Sequence, residues 1–327
     1  MRTMHAIRIG LFCAACAGFS LVPHTAWAEA VPAPARTIKI VISVPPGGTI
    51  DFLVRVIAEY LGRTRGQTIV VESRPGAGSI IAAETVARAA PDGTTLLINS
   101  NGQMISPILR KVNFDPRTSF EPICFLVDSP QVLVVNSKSP YRTLADLVEA
   151  ARAKPGELSI STVGPNTTQH IAVERFKRVA GIDLTYVPFT GGAPAINALL
   201  GGHVTAVLQN FSEAGELVNT GALRALATPA RDRIPPLPQV PTIAESGYKD
   251  FVADVWFGLV APAKTPAPII AQYIEWFGGA IEAPEVRDKL TAHALYPSRR
   301  CGGEFAAHIQ RQVDEFARVI AELKLKG

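Results

Sequence analysis

From Thr37 onward, short β-branched runs alternate with helical patterns, which predicts an α/β fold built on largely parallel strands. Ile38-Lys39-Ile40-Val41-Ile42 predicts a buried strand, Pro45-Pro46-Gly47-Gly48-Thr49 a turn, and residues 50–61 a helix closed by Gly62. A strand at 67–72, a helix at 79–90 stopped by Pro91-Asp92-Gly93, and a strand at 95–99 follow. Val132-Leu133-Val134-Val135 is a further strand, and residues 136–140 behind it read as a connection between lobes. Thr143-x-x-Asp146 then opens a helix over 143–153 with a capping-box pattern, stopped by Pro155-Gly156. Strands at 158–162, 184–189, 204–209 and 223–228 alternate with helices at 168–180 and 193–200. The proline-rich residues 234–241 carry no period and read as a surface loop. An extended segment at 252–260 returns the chain to the first lobe, ahead of helices at 266–281, 284–292 and 304–323. In the last of these Phe305, Ile309, Val313, Phe316, Ile320 and Leu323 recur at helical spacing, a core-packing stripe.

The first residues follow another pattern. Arg2 and Arg8 precede an apolar run at 9–22 that closes on Ala26-Trp27-Ala28, the layout of a secretory signal cleaved after Ala28. The run is about 14 residues long, short of the roughly 18 that a membrane span needs. Acylation of Cys16 is the competing reading, but Cys13-Ala14-Ala15 before it lacks the leucine of a lipobox. Cleavage also removes the Cys13-x-x-Cys16 pair, leaving Cys124 and Cys301. An oxidising compartment permits these two to bond if the fold brings them together; otherwise they are separately buried thiols acting as small apolar side chains.

Composition narrows the partners. The chain holds 32 Lys and Arg against 28 Asp and Glu, a net charge of +4 that falls to +2 once Arg2 and Arg8 leave. No basic cluster interleaved with aromatics occurs, so no nucleic-acid partner is expected. His170, His203, His293 and His308 stand without metal-ligand spacing, and neither a metal nor a cofactor is expected. No phosphate loop, nucleophile elbow or His-Glu-x-x-His is present. Gly76-Ala77-Gly78 begins like a dinucleotide fingerprint, but Ile81 stands where the third glycine belongs.

Candidate chemistry centres on the turn at 45–49, which joins a strand to a helix whose first N–H groups lack intrahelical partners and so attract anions. Thr49 adds a hydroxyl, and Asp51 falls in the first helical turn. The same grammar recurs in Gly164-Pro165-Asn166-Thr167-Thr168 and in Phe189-Thr190-Gly191-Gly192-Ala193. Three such turns at the carboxyl ends of parallel strands suit a small anion held by N–H and hydroxyl groups. His170 reads either as a ligand contact or as a histidine bonded within its own lobe. Asp254 and Trp256 either line the cleft or belong to a strand with a core-facing aromatic. A secreted enzyme using Asp51, His170 or Asp254 as acid or base is a second reading, without a nucleophile constellation to support it.

Across nearly the whole chain after the leader, the sequence resembles the substrate-binding proteins of tripartite tricarboxylate transporters, the Bug-type receptors. The resemblance rests on Pro46-Gly47-Gly48 with Asp51, on Glu72-Ser73-Arg74-Pro75-Gly76-Ala77-Gly78, and on Val86-Ala87-Arg88-Ala89-Ala90-Pro91-Asp92-Gly93 before Thr95-Leu96-Leu97. It continues through Thr167-Thr168 with His170, Gly201-Gly202 with Val204, Leu223-Arg224-Ala225-Leu226-Ala227, Pro241-Thr242-Ile243-Ala244-Glu245 and Trp256-Phe257-Gly258-Leu259.

What the resemblance implies is a two-lobed periplasmic-binding-protein (type II, Venus-flytrap) fold, each lobe a mostly parallel sheet flanked by helices. Lobe 1 would comprise 36–137 and 255–327, and lobe 2 residues 138–254, with hinge crossings near 136–140 and 250–257. The implied role is that of a monomeric periplasmic receptor, not an enzyme, which captures a small carboxylate for a two-component membrane permease; an extracytoplasmic sensor would share the pocket. Di- and tricarboxylates, acidic amino acids and aromatic acids are the ligand classes implied. Carried onto this sequence, the ligand residues would be Val44, Pro46, Gly47, Gly48, Thr49 and Asp51 in the first lobe. In the second they would be Thr162, Asn166, Thr167, Thr168, His170, Thr190 and Gly191, with Asn210 and Asp254 as distal contacts. The pocket departs from the family at Ser43-Val44, in place of Pro-Phe, at Asn166, in place of a glycine, and at Phe189-Thr190, in place of Tyr-Lys. Ser79-Ile80-Ile81-Ala82 replaces a glycine-rich stretch.

Overall fold

Along the first strand Ile38, Ile40 and Ile42 pack into one apolar cluster while Val41 packs into another. A strand buried on both faces needs helices on both sides of its sheet, and the sequence supplies them. The structure, a computed structural model, describes residues 37–165 and 167–325. The leader, its cleavage site, Cys13, Cys16 and Asn166 lie outside the described residues.

The first part of the chain runs β1 (Ile38–Ile42), α1 (Thr49–Arg65), β2 (Ile69–Ser73), α2 (Ile80–Ala87), β3 (Thr95–Ser100), α3 (Asn101–Leu109) and β4 (Phe120–Ser129). The second contains β5 (Gln131–Asn136), α4 (Leu144–Ala153), β6 (Ser159–Thr162), α5 (Thr168–Ala180), β7 (Thr185–Pro188), α6 (Gly192–Leu200), β8 (Ala206–Asn210), α7 (Phe211–Asn219) and β9 (Leu223–Ala227). The return adds β10 (Val255–Pro262), α8 (Ala267–Glu282), α9 (Pro284–Ala292), β11 (Tyr296–Cys301) and α10 (Gly303–Leu323).

The strands form two sheets, ordered β11-β4-β10-β3-β1-β2 and β7-β6-β8-β5-β9. In the first, β1 to β4 share a direction and β10 and β11 oppose it. In the second, β5 alone opposes the rest. The two-lobed α/β architecture is therefore present, with mixed ladders at the strands that return or cross.

Several expectations shift. β5 pairs with β8 and β9, so 131–136 belongs to the second sheet and the first crossing is at 129–131 rather than 136–140. The apolar run of β5 fits either sheet equally; its partners decide. The second crossing lies just before β10, where Gln131 Nε2 donates to the Ala253 carbonyl at 2.8 Å and ties the two crossings together. α1 passes through Gly62 and ends at Gly66, whose φ of 64° lets its N–H reach the Gly62 carbonyl. The Thr143 capping box forms as the spacing predicts.

Cys124 and Cys301 are bonded, joining β4 to the edge strand β11. Trp256 lies in the core of the first lobe, packed on Phe125 and Phe305, so the core-facing alternative is the correct one. Among the described residues no helix is long and apolar enough to cross a membrane.

Candidate functional site

The turn from β1 to α1 is shaped by one carboxylate. Gly47 has a φ of 87°, a left-handed conformation that favours glycine, and its N–H donates to Asp51 Oδ2 at 3.0 Å. Arg55 Nε donates to the same oxygen at 2.9 Å. Burial pushes the Asp51 carboxyl up, but the bonds from Arg55 and Gly47 and the guanidinium charge together hold its pKa below the ordinary aspartate value. Ser73 Oγ donates to the Val44 carbonyl at 2.6 Å and anchors the other end of the turn, while Pro46 and Gly47 are exposed. Gly48 is the N-cap and has no side chain to offer, so the N–H of Thr49 needs a partner from elsewhere.

That partner comes from α7 of the second lobe. Thr49 N–H donates to Glu213 Oε1 at 3.3 Å, and the Thr49 hydroxyl donates to the same oxygen at 2.8 Å. The hydroxyls of Thr49 and Ser212 lie 2.7 Å apart, and Asn210 Nδ2 reaches Thr49 Oγ1 at 3.5 Å. Glu213 Oε2 accepts from Gln209 Nε2 at 2.8 Å. It also lies against the start of α6: a Cβ at Gly192 would stand 1.7 Å from it. One carboxylate therefore bridges the N-terminal ends of two helices from opposite lobes, held by backbone and neutral side chains.

Beside this group, Gly191 at a φ of 126° donates its N–H to the Val163 carbonyl at 3.1 Å and turns the chain into α6, leaving Thr190 exposed. Thr167 caps α5, accepting from His170 N–H at 3.2 Å and donating to the Gly164 carbonyl at 2.9 Å. Thr168 is buried in the first turn of α5. Thr162 Oγ1 and Tyr186 Oη lie 2.8 Å apart, and the His170 ring packs on Tyr186 with centroids 4.4 Å apart. Burial lowers the His170 pKa, with the Glu174 charge opposing and Lys177 adding. Burial likewise pushes the Tyr186 hydroxyl up to about 12, against the hydrogen bond with Thr162.

Of the residues expected from sequence, the structure joins Thr49 directly to Asn210 and brings Gly48 and the Gly191-Gly192 turn against the same carboxylate. Gln169 Nε2, donating to Asn210 Oδ1 at 3.1 Å, links α5 to this group. Asp254 is exposed on the second crossing, where its carbonyl accepts from Asn101 Nδ2 at 3.2 Å, and the preceding Ala253 carbonyl accepts from Gln131, which pairs in register with Asn210. Sequence reasoning missed Gln209, Ser212, Glu213 and Tyr186. The turn from β8 to α7 contains no glycine and no loop, so only the Ser212-Glu213 pair marked a helix start there.

A groove of about 720 Å³ lies beside β9, lined by Arg142, Thr143, Arg224 and Val240 among others. None of the glycine-rich turns borders it, so its size does not make it the anion site.

The family model described as tripartite tricarboxylate transporter family receptor matches residues 53–325. The chain belongs to that family. The family is one of solute receptors rather than enzymes. Among solved structures, the receptor is similar to the periplasmic binding protein BugD, at 29% identity and a TM-score of 0.85 over 90% of this chain and 99% of that one. It is also similar to Rpa4515 of R. palustris with adipate, at 30% identity and a TM-score of 0.84 over 90% and 99% of the two chains. MatC from Rhodopseudomonas palustris with bound malate matches at 29% identity and a TM-score of 0.82, over 88% and 100%.

Proposed function

We propose that this receptor captures a small carboxylate between its lobes in the periplasm and delivers it, unchanged, to a two-component membrane permease. The observation that carries the reading is the Thr49 group: an amide N–H and a hydroxyl at the start of α1 already bond a carboxylate presented from the opposite lobe. Donors that hold one carboxylate suit another. Adipate and malate in the two similar structures support the same ligand class.

In this reading the ligand carboxylate binds the turn formed by Val44, Pro46, Gly47, Gly48 and Thr49, shaped by Asp51, and touches Thr167, Thr168, Thr190, Gly191 and Asn210 from the other side. Thr162 and His170, through Tyr186, form the wall behind, and Asn166 belongs to the same turn as Thr167. Asp254, on the second crossing, is the distal contact at the hinge end of the cleft. Lobe 1 comprises residues up to 129 and from 255 onward, lobe 2 those between, and a monomer suffices because both walls come from one chain. Closure about the crossings at 129–131 and 252–254 converts binding into a shape the permease reads. No bond is made or broken.

Thermal-shift screening against dicarboxylates, tricarboxylates, amino acids, aromatic acids and neutral sugars, followed by calorimetry, tests this. A ligand at about 100 times its Kd stabilises the fold by roughly 2.7 kcal/mol. A melting temperature that moves with sugars and with no carboxylate sinks the reading.

A further inference from the structure

The place just given to a ligand carboxylate holds one of the protein's own. Thr49 has one amide hydrogen and one hydroxyl hydrogen, and Glu213 Oε1 takes both. A second carboxylate at those donors would face a like charge and find both hydrogens taken, so ligand and Glu213 compete for Thr49. Thr49 and Glu213 lie 164 positions apart and on different lobes, so these bonds and the one to Ser212 exist only while the cleft is shut. The fit is built on both sides: Gln209 Nε2 fixes Oε2, and Gly192 leaves no room for a side chain where that oxygen sits.

We propose that Glu213 is an internal competitor. In the ligand-free receptor its carboxylate occupies Thr49 and draws the lobes together; a ligand binds by displacing it, so Glu213 sets the affinity a ligand must reach. This rests on the carboxylate reading above. The cost follows from populations: apparent affinity falls by the fraction of receptor that is binding-competent, so a cleft latched nine times in ten weakens binding about tenfold. Anions that meet Thr49 with a single weak contact are thereby excluded, whereas a ligand that also engages the second-lobe turns overcomes the latch.

Glu213→Ala and Glu213→Gln test the proposal, with solution scattering on the ligand-free protein and calorimetry with adipate and malate as probes. The ligand-free Ala variant should have a larger radius of gyration than wild type and contract when a probe binds. Affinity for a probe that binds should rise about tenfold in the Ala variant. The Gln variant, whose amide oxygen still accepts from Thr49, should fall between; if the Ala variant does not fold, Gln carries the comparison in the same direction. A loss of affinity in either variant would make Glu213 a ligand contact and overturn the proposal. So would equal ligand-free dimensions in wild type and variants. Scattering needs no ligand, so it decides the latch even if neither probe binds, a result that would count against the carboxylate reading alone.

Discussion

Asp51 shows how much of the site depends on single side chains. Its Oδ2 is the shared acceptor for Gly47 N–H and Arg55 Nε, so the carboxylate holds a left-handed glycine in place two residues from the donors of Thr49. Asp51→Ala should weaken carboxylate binding at least tenfold and cost about 1–2 kcal/mol of stability, read by calorimetry and urea unfolding. Affinity within twofold of wild type would show that the turn keeps its shape unaided. Because the Asp51 pKa is depressed, its stabilisation is fully present above the ordinary value of 3.8 and is lost only as pH falls below it. His308 acts at higher pH. Its ring packs edge-on against Trp256 and Phe125, with centroids 4.9 and 5.1 Å away, and burial, then the charges of Arg300 and Arg311, hold its pKa down to about 4. The unfolded chain takes up that proton first, so acidification from 6.5 toward 4 destabilises the fold. Asp128 is pushed up to about 6 by burial, with Arg300 opposing and Asp254 adding, and has the opposite sign: it favours the fold at the acid end. Nearly half of its side chain is exposed, which screens that contribution. His308→Phe removes the first effect alone. Relative to wild type it should gain on the order of 2 kcal/mol at pH 4.5 compared with pH 7.5. Parallel pH dependences of the two unfolding curves would refute it.

Among the elements, β11 depends most on a covalent bond. It is an edge strand holding Pro297 and two arginines, its ladder with β4 is interrupted between Pro297 and Arg300, and Cys301 is bonded to Cys124 at the end of that ladder. Reduction, or the paired change Cys124→Ser and Cys301→Ser, should cost about 2–5 kcal/mol in urea unfolding. Hydrogen exchange should quicken in 296–301 before it does in β1 or β3, and uniform quickening across the sheet would show that the bond does not act locally. The same strand shows why the sequence was only partly legible. β1, α4, α5, α9 and α10 are legible to within a residue or two because each has a clear period, a cap or a starting proline: isoleucine alternation, Thr143 with Asp146, Thr167 before His170, Pro284 at the first turn of α9, and the Phe305-to-Leu323 stripe. α3 starts directly after β3 and contains Pro107, β4 carries Pro122 and is buried on both faces, α7 follows β8 without a loop, and β11 is polar. These four lack the local signal, and tertiary pairing forms them. The same holds at the site, where the Gly-Thr turns announced Thr49 and Gly191 but nothing local announced Glu213.

At the scale of the whole molecule, each sheet has its own apolar clusters, and among the described residues the chain passes between sheets at 129–131 and before β10. Further contacts extend the connection: Ile171 of α5 packs into the apolar cluster beside the first sheet, Ala294 and Tyr296 of the first lobe pack into a cluster of the second, and Arg178 donates to the Glu322 carbonyl of α10. At the Thr49 group itself the lobes meet through polar contacts that solvent can replace, whereas the crossings are held by chain and core. Motion should therefore be a rotation about the crossings that separates Thr49 from Asn210, Ser212 and Glu213 while leaving both sheets intact. A bound carboxylate that bridges the lobes would slow that separation from both sides. Hydrogen exchange with and without a carboxylate chosen by the thermal-shift screen should accordingly show new protection in 46–51 of the first lobe and, in the same sample, in 190–193 and 210–213 of the second. The central strands β3 and β8, already sealed in their sheets, should change little. Protection confined to one lobe would mean that the ligand sits on a single wall, and the hinged-cleft account would fail even if affinity were high.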